Sequence, residues 1–272
     1  MRSGEPPSWL LRRTLKRGLS LAGGRDTAAA GATLLIYHRI AGGTRDERDV
    51  GLDAFERQLD VLSTRRVTTL DTALDELAAG DASPKVVLTF DDGFADVHRT
   101  AWPLLEERRL PFTLYLATAY VGGRMHWDGS TASAPGPALT WAQLRDLQAS
   151  GLCTIGNHTH AHVRPERLTT TELDRCTAAV EDHLGVTPTH FAYPWGVRVA
   201  ALEPELRARF RSAATGELGR NLPGCDPLRL RRVPVRQTDP IDFFAAKLTG
   251  RLVPERAYAA IVGTAKRARP RG

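Results

Sequence analysis

The chain has 272 residues, which is near the upper end of what one hydrophobic core can serve. Hydrophobic residues make up 42% of it and charged residues 25%, which excludes disordered, collagen-like and disulfide-stapled chains. The net charge of +6 comes from the ends: residues 1–30 have six basic and two acidic side chains, and residues 251–272 have six and one. A nucleic-acid-binding core usually has its basic stripe within the fold, so these ends suit an anionic surface, or solubility alone.

The first element, within residues 1–30, is predicted to be a basic amphipathic helix. Basic side chains at 12, 13, 16 and 17 interrupt any apolar stretch, so no secretory signal is indicated and we expect a cytoplasmic or peripheral membrane protein. Such a helix lies on an anionic membrane surface or packs against the outside of the fold that follows. Its apolar residues recur at helical spacing: Trp9, Leu10, Leu11, Leu15, Leu19 and Ala22.

From residue 33 onward, short apolar runs alternate with helical patterns. The alternation implies parallel strands with helical crossovers, so the predicted class is α/β, and a (β/α) barrel is favoured over an open sheet. We expect a segment 1–30, a catalytic domain 31–250 and a basic helix or tail 251–272. Strands are predicted at 34–38, 85–90, 112–118, 152–157, 190–194 and 212–216, and helices near 55–66, 72–80, 96–109, 140–150, 170–184 and 201–210.

Two adjacent carboxylates follow the predicted strand at 85–90. Asp91 and Asp92 stand at its carboxyl end, the edge at which α/β folds place their active sites. Neighbouring anions repel, so burying both requires a cation or a shared proton. The alternative is an ordinary strand-ending turn, in which Asp92 and Gly93 are turn residues.

Three histidines lie within five positions after the predicted strand at 152–157. His158 and His162 are four residues apart, so on a helical turn both imidazoles project from one face and can share a metal ion. His160 points elsewhere on such a turn. With Asp92 the pair makes a set of two histidines and one carboxylate that leaves coordination positions open, as catalytic metal sites do. The alternative is a solvated histidine-rich loop.

Two further strand ends carry candidate residues. The run FAYPWG at 191–196 surrounds a proline with aromatic side chains, which either form one wall of a pocket or serve packing. Within this run, Tyr193 and Trp195 are the candidates for binding substrate. His38 ends the first predicted strand, and by itself it indicates no more than a core or surface histidine.

The run TFDDG at 89–93 followed by HTHAH at 158–162 resembles the two strongest motifs of the polysaccharide deacetylase family, carbohydrate esterase family 4. The resemblance extends from about residue 38 to about residue 235. It implies a distorted (β/α) barrel that binds one divalent metal ion, commonly zinc. By this resemblance the general base is Asp91, and the metal ligands are Asp92, His158 and His162.

The third motif of the family implies further roles. It assigns oxyanion stabilisation to the backbone N–H after the motif proline, which here belongs to Trp195. The motif usually begins with an arginine that orients the base, but this chain has Ala192 there. Arg232, in LRLRRVPV, is the candidate replacement.

The late Leu-x-His motif of the family is missing, since no histidine follows His190. A subgroup that resembles the poly-N-acetylglucosamine deacetylases carries instead a tyrosine–histidine pair on the first strand. Tyr37 and His38 resemble that pair, so the resemblance makes His38 the general acid. An imidazole with a pKa near 6.5 suits proton donation to a departing amine.

The predicted function is metal-dependent removal of N-acetyl groups from amino sugars of a polysaccharide or a lipid-linked glycan. A metal ion, most simply zinc, polarises the acyl oxygen and makes water more acidic. Two alternatives stay open: hydrolysis of another small amide, formamide or imide, and a catalytically inactive carbohydrate-binding barrel. The second is disfavoured because a binding module has no need for two adjacent buried carboxylates. The expected partners are the glycan and an anionic membrane, with no nucleic acid.

Overall fold

The computed structural model describes residues 7–21, 30–127, 135–250 and 252–267. They group into two compact units. The larger unit is residues 30–237, and the smaller one combines the described residues before 30 with those from 238 onward.

Seven parallel strands of the larger unit close into a barrel. They follow one another around the barrel in chain order, and the last strand pairs with the first. The predicted α/β class and (β/α) barrel are therefore confirmed. The strands are β1 (Ala32–Tyr37), β2 (Lys85–Asp92), β3 (Phe112–Leu116), β4 (Cys153–Asn157), β5 (His190–Ala192), β6 (Ser212–Leu218) and β7 (Leu230–Pro234).

Helices alternate with these strands, and several start or stop at recognisable residues. Thr140 begins a helix with a capping box shared with Gln143, and Gly185 ends another in the left-handed conformation. The α-helices of the described residues are α1 (Pro7–Leu21), α2 (Leu52–Leu62), α3 (Leu70–Ala78), α4 (Trp102–Glu107), α5 (Trp141–Ala149), α6 (Thr170–Leu184), α7 (Glu203–Arg209), α8 (Ile241–Leu248) and α9 (Val253–Arg267).

Two elements differ from the sequence-based expectation. The helix expected at 96–109 is a π-helical turn, Val97–Ala101, followed by α4. Pro103 lies in the first turn of α4 and has no N–H to bond back to the preceding turn, which favours the wider winding before it. The strand β7 was not predicted, because Arg231 and Arg232 interrupt its apolar pattern.

The first two strands are buried along their whole length. β1 reads ATLLIY and β2 reads KVVLTFDD, and every residue of both is buried. Near-continuous apolar runs are typical of parallel strands covered on both faces. β2 thus carries Asp91 and Asp92, 4% and 2% exposed, at its carboxyl end.

The smaller unit contains α1, α8 and α9. The helix expected within residues 1–30 is present, although Ala22 lies outside the described residues. One of the basic residues of this helix, Lys16, is fully buried. Its ammonium donates hydrogen bonds to Thr238 Oγ1 at 2.8 Å and Asp239 Oδ1 at 2.7 Å. None of the described helices is long and apolar enough to cross a bilayer.

Candidate active site

A cavity of about 320 Å³ lies at the carboxyl ends of the barrel strands. Seven of the eight site residues predicted from the sequence line it; Tyr193 does not. The predicted residues in the lining are His38, Asp91, Asp92, His158, His162, Trp195 and Arg232. The lining also includes Ile36, Arg48, Trp127, Gly196 and Gly216.

Asp92, His158 and His162 form a buried cluster whose ligand atoms all lie within 4.8 Å of one another. The Nε2 atoms of His158 and His162 are 3.5 and 3.4 Å from Asp92 Oδ1. Ligand atoms held about 2.1 Å from a tetrahedral zinc ion stand roughly 3.4 Å apart, so the spacing fits such an ion. Among the described residues, this is the cluster of at least three histidine, cysteine, aspartate or glutamate side chains that lie close enough together to hold a metal ion.

The tautomer of His158 and the protonation of His162 also fit a metal. His158 Nδ1 is 2.8 Å from the carbonyl oxygen of Ala192, which fixes the tautomer with the proton on Nδ1 and leaves Nε2 as the ligand atom. Burial lowers the pKa of His162 to about 3, so its imidazole is neutral, the form that binds metals.

The histidines converge for a reason other than the expected helical turn. Residues 158–162 form an irregular loop in which Thr159 and His162 have φ values of 67° and 48°. Asn157 Oδ1 accepts the Thr159 N–H at 2.8 Å, and Glu172 accepts the Ala161 N–H at 2.8 Å. The prediction that both imidazoles share one side was therefore right, but its helical premise was wrong.

His160 points out of the site, as expected. Its Nδ1 lies 2.9 Å from Thr118 Oγ1, and its Nε2 lies 2.9 Å from Nη2 of Arg175. It does not line the cavity.

The turn after β2 directs the second carboxylate. Asp92 and Gly93 both have positive φ, 78° and 108°, so this segment is also the turn that the alternative interpretation expected. A Cβ atom on Gly93 would lie 2.6 Å from Leu116 Cδ1, which leaves room only for glycine. The turn and the metal-ligand interpretation are thus compatible.

Asp91 is held by an arginine. Arg232 Nη1 donates to Asp91 Oδ1 at 2.7 Å, while Nε donates to the Thr215 carbonyl at 2.9 Å. Burial raises the pKa of Asp91, but positively charged neighbours, with the guanidinium of Arg232 first among them, outweigh burial and hold the pKa below its usual value. Asp91 is therefore ionised at neutral pH.

His38 lines the same cavity at the end of β1. Burial lowers its pKa, and the carboxylates of Asp92 and Asp91 oppose that effect without overcoming it. Its neighbour Tyr37 lies on the opposite face of the strand. The Tyr37 hydroxyl donates to Gln58 at 3.0 Å, and its ring stacks on Phe90.

Trp195 reaches the cavity through a sharp turn after β5. It has a φ of 62°, and its ring centroid is 5.5 Å from that of His162. Gly196 and Gly216 approach so closely that a Cβ on Gly196 would lie 2.7 Å from Gly216 Cα. This contact brings the turn down onto the end of β6.

Tyr193, expected to bind substrate, lies elsewhere. Its ring packs on Phe191 at 5.0 Å in a hydrophobic cluster with Leu206 and Phe210. Alternation along the extended segment directs its side chain away from the cavity. The structure therefore does not bring Tyr193 to the cavity that holds the other predicted site residues.

Sequence reasoning missed two lining residues. The ring of Trp127 lies 4.1 Å from that of His162, and Arg48 is ion-paired with Asp46 at 2.7 Å. Trp127 falls in a stretch rich in glycine, proline and serine, and Arg48 falls in a loop. Neither has a periodic or motif signal that would have singled it out.

Comparisons with known proteins identify the family of this chain. A family model described as polysaccharide deacetylase matches residues 79–208. The structure of IcaB from Ammonifex degensii is 31% identical, with a TM-score of 0.71, and the match covers 83% of this chain and all of that one.

Two further solved structures and one relative are also similar to this chain. BC0361, a polysaccharide deacetylase from Bacillus cereus, shares the fold at 21% identity and TM-score 0.67, over 80% of this chain and 68% of that one. The deacetylase PplD from Streptococcus pyogenes has the same identity and TM-score, over 82% and 99%. Bacillus subtilis (strain 168) YxkH, named provisionally for the same activity, is 26% identical over 140 residues, which are 50% of this chain but only 45% of that protein.

Proposed function

This chain belongs to the polysaccharide deacetylase family, and we propose that it removes N-acetyl groups from the amino sugars of a polysaccharide or a lipid-linked glycan. The observation that supports this most directly is one cavity in which Asp91 adjoins the cluster of Asp92, His158 and His162. Amide hydrolysis needs an activated water, a stabilised oxyanion and a protonated leaving group. The cavity has a candidate for each.

Asp92, His158 and His162 would hold one divalent metal ion, which we propose to be zinc. When bound, this ion would polarise the acyl oxygen and lower the pKa of a water molecule. The carbonyl of Ala192 orients His158 for this role, and the loop hydrogen bonds of Asn157 and Glu172 hold the second histidine in place.

Asp91 is the proposed general base. It is ionised because Arg232 lowers its pKa, and it lies next to Asp92 at the end of β2. Arg232 positions the carboxylate by donating a hydrogen bond to Oδ1. In this role Arg232 stands in for the family arginine, whose motif position is occupied by Ala192.

The backbone N–H of Trp195 is the proposed donor to the oxyanion. A rigid donor aimed at developing charge is worth about 10²–10³ in rate. The left-handed turn at Trp195 is fixed by the close contact of Gly196 with Gly216. The indoles of Trp195 and Trp127 flank His162 and form an apolar wall for the acetyl group and sugar ring.

His38 is the proposed general acid for the leaving amine. Its lowered pKa leaves the imidazole neutral at rest and makes its protonated form a stronger donor. In this proposal His38 takes up the proton that Asp91 removes from water and passes it to the leaving amine. It lies in the same cavity as Asp91, so one group can accept a proton while the other supplies one.

Acetate release tests this proposal. The full chain is incubated with N-acetylglucosamine oligomers and with lipid-linked acetamido sugars, before and after treatment with a chelator and after return of zinc. Small formamides and imides are assayed in parallel for their own hydrolysis products. We expect release from at least one substrate, loss with the chelator and recovery with zinc. If formamides or imides are hydrolysed and no N-acetyl sugar is, the substrate class is wrong. If the metal-loaded protein hydrolyses none of them, the enzymatic assignment is wrong.

A further inference from the structure

The smaller unit exposes an unusual number of large apolar side chains. In the described residues, Leu10 and Leu11 of α1 are 54% and 73% exposed, and Val253 and Ile261 of α9 are 71% and 46% exposed. The larger unit is several times longer and exposes a similar number of large apolar side chains, which lie on separate elements. Concentrated apolar exposure marks an interaction surface.

The orientation of α1 produces this exposure. Lys16 and Ser20 are buried, whereas Leu10, Leu11 and Arg17 are exposed. A helix serving only the fold would bury its leucines and leave its lysine in water. Here Asp239 and Thr238 bind the buried ammonium, so the leucine pair lies outside.

The charges of this unit favour one class of partner. Residues 1–29 and 238–272 contain thirteen basic and five acidic side chains. The buried network of Lys16, Lys247, Asp239 and Glu255 balances two of each. The remainder is eleven basic and three acidic side chains, so these two segments keep a net charge of +8.

We propose that the smaller unit binds the surface of an anionic lipid bilayer. Leu10, Leu11 and Val253 enter the boundary between headgroups and acyl chains, and arginines such as Arg17 and Arg256 contact lipid phosphates. Exposed leucines among basic residues on a helix that does not span the bilayer are the features of interfacial binding. This inference concerns location on a surface and does not depend on the catalytic proposal.

Vesicle sedimentation of the full chain tests the proposal. The probes are vesicles of phosphatidylcholine alone and of equal parts phosphatidylcholine and phosphatidylglycerol. We expect binding to the anionic vesicles at low salt, with strong weakening at high salt. The double variant Leu10→Ser/Leu11→Ser should bind about 10- to 100-fold more weakly, and Arg17→Gln/Arg256→Gln about 10-fold or more.

Leu222→Ser is the matched control, because Leu222 is 47% exposed but belongs to the larger unit. It should bind as the parent does. No binding of the parent to anionic vesicles overturns the proposal, as does equal binding by the leucine double variant when its melting temperature is unchanged. If the leucine double variant unfolds, equal binding by folded Arg17→Gln/Arg256→Gln overturns the proposal instead. Light scattering tests for self-association of the parent. If the parent self-associates but does not bind vesicles, and the leucine double variant does not self-associate, the surface binds a second copy of the chain and the proposal is overturned.

Discussion

Arg232 and Asp91 form a buried ion pair between two strands of the barrel, with Nη1 and Oδ1 2.7 Å apart. Their side chains are 1% and 5% exposed. Arg232 comes from β7, and its Nε is anchored on the Thr215 carbonyl of β6. Three strands therefore fix the ionisation and the orientation of one carboxylate.

Removing the arginine should move the acid limb of the activity profile. Arg232 lowers the pKa of Asp91, so Arg232→Gln raises it, and the base becomes protonated at a higher pH than in the parent. The acid limb of kcat/KM should shift upward by about one to three pH units. Arg232→Lys keeps a positive charge, so it should return the acid limb part of the way to its parental position. A purely structural role of Arg232 would not give this partial return.

Arg231→Gln is the control for this shift. Arg231 is the preceding residue on β7, but it is 55% exposed and lies 3.9 Å from Glu217. Its pH profile should match that of the parent. An unchanged acid limb in folded Arg232→Gln would show that Arg232 does not set the ionisation of the base.

Asp91→Asn should retain the metal and lose the reaction. The amide is nearly the same size but cannot accept a proton, so kcat should fall by about 10²–10⁴-fold or more. Metal content by atomic absorption should stay near that of the parent. Turnover at the parental rate would mean that another group is the base.

His162→Ala should abolish tight metal binding, because it removes one of three ligand atoms. His160→Ala is the matched control, since His160 belongs to the same loop but bonds Thr118 and Arg175 outside the cavity. Isothermal titration with zinc and the thermal shift on metal addition measure both variants. Full occupancy in His162→Ala would contradict the ligand assignment.

His38→Ala should affect substrates with poor leaving groups most. Amines leave only when protonated, whereas a phenolate leaves without help. We expect hydrolysis of an N-acetyl sugar to fall by about 10²–10⁴-fold and hydrolysis of an activated aryl acetate much less, with metal content unchanged. An equal loss on both substrates would indicate a structural role. His98→Ala, outside the cavity, should leave both rates unaltered.

Gly156→Ala should destabilise the barrel. A Cβ there would lie 2.6 Å from Tyr115 Cδ1 and 3.1 Å from the His190 carbonyl oxygen. Overpacking of this kind lowers the free energy of unfolding by about 1–3 kcal/mol. Gly18→Ala, in the helix α1 with no atom within 4 Å of the added Cβ, should instead stabilise by about 0.5–1 kcal/mol. Urea denaturation compares the two, and an undiminished stability of Gly156→Ala would show that the barrel relaxes around the added atom.

The sequence by itself determined the barrel and the neighbourhood of its site. Strand–helix alternation specifies parallel pairing, because such strands need crossovers, and parallel strands bring their carboxyl ends to one edge. That reasoning located Asp91, Asp92 and the histidine loop together. The resemblance to the deacetylases then assigned roles to His38 and Trp195, for which their positions at strand ends indicate no chemistry by themselves.

The tertiary structure alone decided which side chains meet. Arg232 and Asp91 are distant in the sequence, and only closure of the barrel between β1 and β7 brings their strands within reach of each other. The histidines meet through left-handed residues whose conformations depend on hydrogen bonds from Asn157 and Glu172, and Lys16 turns inward because Asp239 is there to bind it. Sequence patterns report local periodicity, whereas burial of charge depends on a partner that folding supplies from elsewhere in the chain.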